Sequence, residues 1–421
     1  VSASSTNGRG RSGPLRIAVY TGVCFQRDAV STSFLEKLKL FTGLRDAGYP
    51  VEVTGFTLAS DCQHESIKVV SGITELICSP EFARADLHIF EFAMWYELIT
   101  ALFLIGGVPS LVIDHNTTPP ELIDDPEVKQ ACERSWLERY NFSLASHVAT
   151  DGEFTRDELL LMGFEADHLS VLHLPAATVA PSPRSPEHTP DRSDEPIRLL
   201  FVGRFVRAKG ILDLVAAAEA LWDEGIDGFS LTLVGSIRFA DRATVAAIDE
   251  ALATHGESGR FSILVDASDD DLADQYGRAD VLVIPSYHEG FCVPVVEAMS
   301  SGCYVIGSDA GNIPNVMGGL GSTYPTGDVA SLAQRIAAFV TAVSGARDRG
   351  DEPVLPTDSG PLPLREWKHA VSTHLAAYSR PRYEQDLLTI VADVLSHSDL
   401  GLPEWFADVV NIPLDTAAGV S

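Results

Sequence analysis

Residues 285–302 read PSYHEGFCVPVVEAMSSG. They follow DVLVIP (280–285), a short β-branched run of the kind that fills a strand buried on both faces of a parallel sheet. Pro294 suits a first helical turn, where its missing N–H needs no partner, and Gly302 suits a helix end. Glu289 then falls in a loop at the carboxyl edge of the sheet, and Glu297 about one turn into the helix. The N–H groups of Gly290, Phe291 and Cys292, with Val293 behind them, would lie along the helix dipole. Sugar hydroxyls or phosphate oxygens are favoured there. A carboxylate placed like Glu297 can accept from two vicinal ribose hydroxyls. An ordinary strand–loop–helix joint with a capping glutamate has the same spacing, so spacing alone leaves both readings open.

Working outward, the same alternation recurs along the chain. Strands are expected at 16–21, 51–56, 87–90, 110–115, 147–151 and 169–174, then at 197–203, 230–235, 261–266, 280–285 and 303–308. Helical patterns separate most of them, including 32–47, 126–145, 153–163 and 328–343. This predicts an α/β chain of two doubly wound, Rossmann-like domains facing across a cleft. The expected boundaries are a tail over 1–14, a first domain over 15–175 and a linker over 176–196. A second domain follows over 197–345 and an extension over 346–421, whose helical stretch 364–395 is expected to return to the first domain. Prolines 175, 181, 183, 186, 190 and 196 forbid a regular element in the linker region. His88 and His173 fall within strand patterns and are expected in the core. Ligands of such sheets bind beyond the carboxyl ends of the strands.

Composition narrows the function classes. The 421 residues carry 59 Asp and Glu against 30 Lys and Arg, a formal charge of −29. That surface repels polyphosphate, which argues against nucleic-acid binding and against adsorption of the whole molecule to anionic lipid. A local peripheral membrane contact stays open. The apolar stretch 98–113 is cut by Gly106, Gly107 and Pro109 and falls short of a membrane span. Six cysteines without CxxC spacing read as reduced thiols of a cytoplasmic protein, and no metal site is expected. Asp269, Asp270 and Asp271 are expected to cap a helix rather than bind a cation.

The motif set resembles glycosyltransferase family 4, the retaining group 1 enzymes of GT-B fold. Glu289-x7-Glu297 within EGFCVPVVEAMSSG carries the resemblance, with FVGRFVRAKGI (201–211), LTLVGS (231–236), ADVLVIPS (279–286) and the Gly-rich stretch 307–321 in the family's order. It implies that Arg204 and Lys209 neutralise the donor diphosphate and stabilise the leaving group. It further implies that Glu289 and Glu297 serve the donor sugar and ribose. Gly203, Gly235, Gly290, Phe291, Cys292 and Val293 would line the donor site. In the first half the likeness is weaker. DHNTTPPEL (114–122) resembles a loop that would bring His115 near the reacting carbon, and SHVATDGEFTRDELLLMGF (146–164) a strand–turn–helix scaffold open to acceptor contacts, with Thr150 and Asp151 in place of the usual serine–glutamate type pairing. Where many members have a glycine pair after the first strand, this chain has only Gly22, and Asn315 stands where a Glu is frequent.

The implied activity is metal-independent transfer of a sugar from a nucleotide-diphosphate sugar to a hydroxyl acceptor, with retention and no resident cofactor. A non-catalytic binding subunit would keep the fold but has no need of Arg204, Lys209, Glu289 and Glu297 together. A nicotinamide-dependent dehydrogenase would need a GxGxxG turn, and neither half offers one after its first strand.

Overall fold

The computed structural model describes residues 13–26, 28–175, 195–236 and 240–410. The tail expected over 1–14 lies outside these residues as far as 12, and the linker expected over 176–196 as far as 194. The chain forms two units. The first takes the residues up to Thr117, Gln130–Leu174 and the residues from Arg380 onward; the second takes Thr118–Lys129 and Pro175–Ser379.

The first unit is a parallel sheet of β1 (Leu15–Tyr20), β2 (Val51–Thr57), β3 (Ile67–Val69), β4 (Leu87–Phe92), β5 (Ser110–Asp114), β6 (His147–Thr150) and β7 (Leu169–Val171). Their spatial order is β3-β2-β1-β4-β5-β6-β7. The order reverses between β1 and β4, so the chain leaves those two strands in opposite directions. In such sheets that switch point is where ligands bind, beyond the carboxyl ends of the strands. Helix α1 (Ala29–Asp46) is started by Asp28, whose carboxylate accepts from the Ser31 N–H at 2.8 Å. Its Phe34, Leu38 and Phe41, one helical face by their spacing, pack with Leu387, Val391 and Leu395 of the C-terminal helix α10 (Arg380–Ser396). The expected single helical stretch 364–395 is therefore two helices, α9 (Leu364–Leu375) in the second unit and α10 in the first. Pro381 marks the break, since proline fits a first helical turn and not an interior.

The second unit repeats the plan with β8 (Ile197–Val202), β9 (Phe229–Gly235), β10 (Phe261–Val265), β11 (Val281–Ile284), β12 (Tyr304–Ser308) and β13 (Ser322–Tyr324), in the order β10-β9-β8-β11-β12-β13. All pairings are parallel, with Ile197 opposite Phe229 and Leu199 opposite Val281. The switch point lies between β8 and β11. Helix α4 (Ile211–Asp223) follows β8, α6 (Asp269–Arg278) follows β10 and α7 (Val293–Ser300) follows β11. At the start of α6 the Ser268 hydroxyl accepts from Asp271 N–H, and Asp271 accepts in return from Ser268 N–H, which is the expected capping role. Helix α8 (Val329–Arg349) is long and apolar enough to cross a membrane. Here it buries Leu332, Ile336, Phe339 and Val343 within the unit.

Two expectations are corrected. The irregular stretch after 344 contains the rest of α8 and a hairpin of Val354–Thr357 with Gly360–Pro363. His88 is buried as expected, but His173 follows β7 partly exposed, with Nε2 3.2 Å from Glu153 Oε1. Register explains it: the β6 partner of β7 ends at Thr150, so the ladder stops at Val171.

Candidate active site

In the second unit the loops after β8 and β11 meet at the switch point. After β8 the chain makes one 3-10 turn (Arg207–Lys209) and enters α4 through Gly210 in the left-handed region, φ 64°. Glycine is required twice over there. The backbone disfavours a side chain, and a Cβ would stand 1.9 Å from the Pro285 carbonyl oxygen. The approach is locked by Tyr287 N–H, which donates to the Ala208 carbonyl at 2.8 Å.

This contact brings Lys209 to Glu289. Lys209 Nζ lies 2.7 Å from Glu289 Oε1, and the Ser286 hydroxyl donates to that same oxygen at 2.6 Å. Glu289 Oε2 has no partner among the described residues. The loop is held from the next strand as well, where Asn312 N–H donates to the Glu289 carbonyl at 3.0 Å and Ser308 to the Ser286 carbonyl at 2.6 Å. Lys209, expected to neutralise the donor diphosphate, is half-buried and already paired with Glu289. Arg204 is exposed and makes no ion pair among the described residues.

Helix α7 starts at Val293 with Cys292 in the left-handed region, φ 76°, as its N-cap. The cap side chain accepts nothing, and the Cys292 thiol is buried, which pushes it well above the usual cysteine range. Gly290 and Phe291 precede it on the same loop, with Phe291 buried against Tyr378. Glu297, one turn on, accepts from the Tyr276 hydroxyl at 2.8 Å. Burial raises its carboxyl above the ordinary value and the tyrosine only partly offsets this. Gly203 and Gly235 end β8 and β9 side by side, where a Cβ on Gly235 would lie 2.0 Å from the Gly203 carbonyl.

In the first unit His115 follows β5. Its side chain is almost fully covered, with Nε2 2.7 Å from Glu91 Oε2 of the adjacent β4. Glu91 Oε1 lies 2.7 Å from the ammonium of Lys37 on α1, and both side chains are fully covered. The Ser33 hydroxyl and the Tyr383 hydroxyl of α10 accept from Lys37 at 2.7 and 2.8 Å. Burial would push Glu91 up, but Lys37 and His115 hold it below the usual carboxylate range. Burial would likewise lower Lys37, and Glu91 reverses it. On the other side of the ring, Asp151 Oδ2 stands 3.9 Å from His115 Nδ1. Burial pushes Asp151 up to about 7, with His115 opposing and Asp114 adding to the rise. Asp114 itself is fully buried against Arg139 at 2.8 Å. The backbone beside His115 is pinned by Asn116, φ 67°, whose amide donates to Thr155 and Glu158. Gly22 sits past β1 of this unit, where a Cβ would press on Tyr96 at 2.9 Å.

Residues 196–342 match the family model of glycosyl transferases group 1. By that match this stretch is similar to the group 1 glycosyl transferases. The glycosyltransferase match covers β8 to the middle of α8, and so holds Arg204, Lys209, Glu289 and Glu297 together. O-antigen chain mannosyltransferase B of Escherichia coli is 28% identical over 198 residues, 46% of this chain and 51% of that protein. The chain spans about half the length, or less, of the first curated relatives it matches. Among solved structures, sucrose-phosphate synthase from Thermosynechococcus elongatus superposes with a TM-score of 0.65 at 20% identity, over 92% of this chain and all of that one. Anabaena HepE in complex with UDP-glucose gives a TM-score of 0.63 at 16% identity, over 90% and 99%. The fold is the GT-B fold of glycosyltransferases, built of two Rossmann-like units.

Lys37, Glu91 and Arg139 were not legible as site residues, and Asp151 was legible only as part of the 146–164 scaffold with its acceptor contacts. A signal was present for two of them. Glu91 interrupts the apolar run LHIFEF, and Lys37 occupies the face of α1 that Phe34, Leu38 and Phe41 define. Charges at such positions are rare unless paired.

Proposed function

We propose that the chain is a retaining glycosyltransferase that moves a sugar from a nucleotide-diphosphate sugar to a hydroxyl acceptor. The observation that carries this reading is the Lys209–Glu289 pair. A carboxylate with one oxygen clamped and the other unspent stands at the switch point of a group 1 glycosyltransferase domain. Glu289 Oε2 accepts from a hydroxyl of the donor sugar, and Glu297 accepts from the ribose hydroxyls of the nucleotide. The amides of Gly290, Phe291 and Cys292 and the cation of Arg204 receive the diphosphate. The reaction breaks the bond between the anomeric carbon and the phosphate oxygen and forms one to the acceptor oxygen, whose proton passes to the departing phosphate. The electron pair of the broken bond stays on the diphosphate, where Arg204 and Lys209 stabilise it. No metal or resident cofactor enters this scheme, and the reduced thiols fit a cytoplasmic enzyme. His115 serves the transfer reaction at the donor sugar.

The test is nucleotide diphosphate release across a panel of nucleotide sugars with simple hydroxyl acceptors. Turnover of one donor, lost in Lys209→Ala, is expected. Absence of turnover and of calorimetric binding for every donor would overturn the reading.

A further inference from the structure

Lys37 and Glu91 form an ion pair with no exposed surface, and only one of its polar neighbours, His115, belongs to the candidate site. The imidazole at 2.7 Å satisfies the second carboxylate oxygen, so the pair and the ring are set together. The chemistry of the pair fixes what the ring can be. Glu91 carries its charge, so both its oxygens accept and neither donates. The ammonium of Lys37 lies against Oε1, and Oε2, which accepts from the Ser33 hydroxyl at 3.2 Å, also meets the His115 Nε2. A nitrogen facing a carboxylate at that distance must carry the hydrogen. The other ring nitrogen, Nδ1, is buried without a hydrogen-bond partner. The remaining charged groups on that side are Asp151, 3.9 Å from Nδ1, and beyond it Asp114, which Arg139 neutralises.

We infer that Glu91 and Lys37 are positioning residues that hold His115 as the Nε2–H tautomer, with Nδ1 left unprotonated. The inference rests on His115 serving the reaction as proposed above. Tyr383 ties the network to the C-terminal helix, because its hydroxyl completes the shell of the Lys37 ammonium.

Glu91→Gln gives the sharpest test. Lys37 can only donate, so it takes the amide oxygen, and the amide nitrogen then faces His115 Nε2. The ring is forced to accept there and the tautomer inverts to Nδ1–H. Long-range proton–nitrogen spectra of the full chain labelled at histidine report the tautomer directly, recorded at pH 8 and assigned with His115→Gln. The expected result is an unprotonated Nδ1 in the wild type and an unprotonated Nε2 in Glu91→Gln. Turnover of the cognate donor should fall at least about tenfold in Glu91→Gln while KM stays within about twofold, because an inverted tautomer spoils the orientation of the ring and not substrate binding.

If Glu91→Gln does not fold, the double variant Lys37→Met/Glu91→Gln removes both charges and leaves the amide free to turn either way. A mixture of tautomers is then expected. A wild-type ring protonated on Nδ1, an unchanged tautomer in the variants, or unchanged kcat in Glu91→Gln would each overturn the inference. The spectra need no donor, so they stand apart from failure of the donor panel, which bears on the transferase reading alone.

Discussion

Replacing Gly210 by alanine tests whether the loop packing at the switch point sets the Lys209–Glu289 pair. Its Cβ would stand 1.9 Å from the Pro285 carbonyl oxygen, against the 3.4 Å at which ordinary contact begins. One loop must therefore move by about 1.5 Å, and carbonyl backbone cannot yield as a flexible side chain does. Lys209 is the next residue, so that displacement takes its ammonium from 2.7 Å to beyond ion-pair distance of Glu289. The left-handed backbone costs alanine about 1–2 kcal/mol, offset by roughly 0.4–1 kcal/mol of lost freedom in the unfolded chain. Overpacking adds about 1–3 kcal/mol. Gly225 supplies the control, since its φ of 82° is also left-handed but nothing lies within 4 Å of its Cβ. At about 2–4 °C per kcal/mol for a unit of this size, Gly225→Ala should lose only a few degrees of thermal stability. Gly210→Ala should lose roughly 5–12 °C and bind nucleotide diphosphate at least about tenfold more weakly in calorimetric titration. Equal melting shifts in the two variants, with binding intact, would refute the reasoning.

Arg204→Ala should lower turnover by about 10²-fold or more with an unchanged melting temperature, because the side chain is exposed and makes no ion pair among the described residues. Glu297→Ala should weaken free nucleotide diphosphate binding, whereas Glu289→Ala should leave it nearly intact and damage transfer; calorimetry that finds equal losses removes the distinction. Asp151 is held at about 7 when folded and titrates near 4 when unfolded, so the stability it contributes is complete below about 4 and is lost as pH rises to about 7. Asp151→Asn should therefore gain on the wild type by up to about 4 kcal/mol between pH 4 and pH 8, and denaturation curves with a pH-independent difference would contradict this. Lys37→Met leaves Glu91 charged and stranded and should cost about 3–5 kcal/mol, against about 1 kcal/mol for the partly solvated Lys209→Ala; similar losses in urea unfolding would count against the contrast.

Most of the second unit was readable because its elements obey local rules. Pro294 and Gly302 bracket α7 as their chemistry requires, and the expected strand 280–285 differs from Val281–Ile284 only at its ends. What escaped depended on long-range contact. The pairing of Lys209 with Glu289 spans 80 residues and follows from the closeness of Gly210 to Pro285, which no spacing announces. The hairpin at 354–363 was hidden because Pro353, Pro356, Pro361 and Pro363 read as irregular chain. Proline is tolerated there because a two-stranded ribbon is all edge. Tyr383 and Lys37 lie 346 positions apart, and their contact exists only because α10 packs on the face of α1.

The two units use one device at two depths. In each, a lysine clamps one oxygen of a glutamate on the strands or loops of the switch point, and the second oxygen is directed elsewhere. For Glu289 the lysine and carboxylate keep 22% and 11% of their side-chain surface, and the second oxygen is open to a ligand. For Glu91 both are fully covered, and the second oxygen is spent on His115. Burial makes the difference in function. A partly solvated clamp tolerates exchange of partners, so on the proposed reading Lys209 releases Glu289 to share its charge with a diphosphate. A dry clamp cannot be exchanged without stranding a charge, so on the inference above Lys37 holds Glu91, and through it His115, in one state.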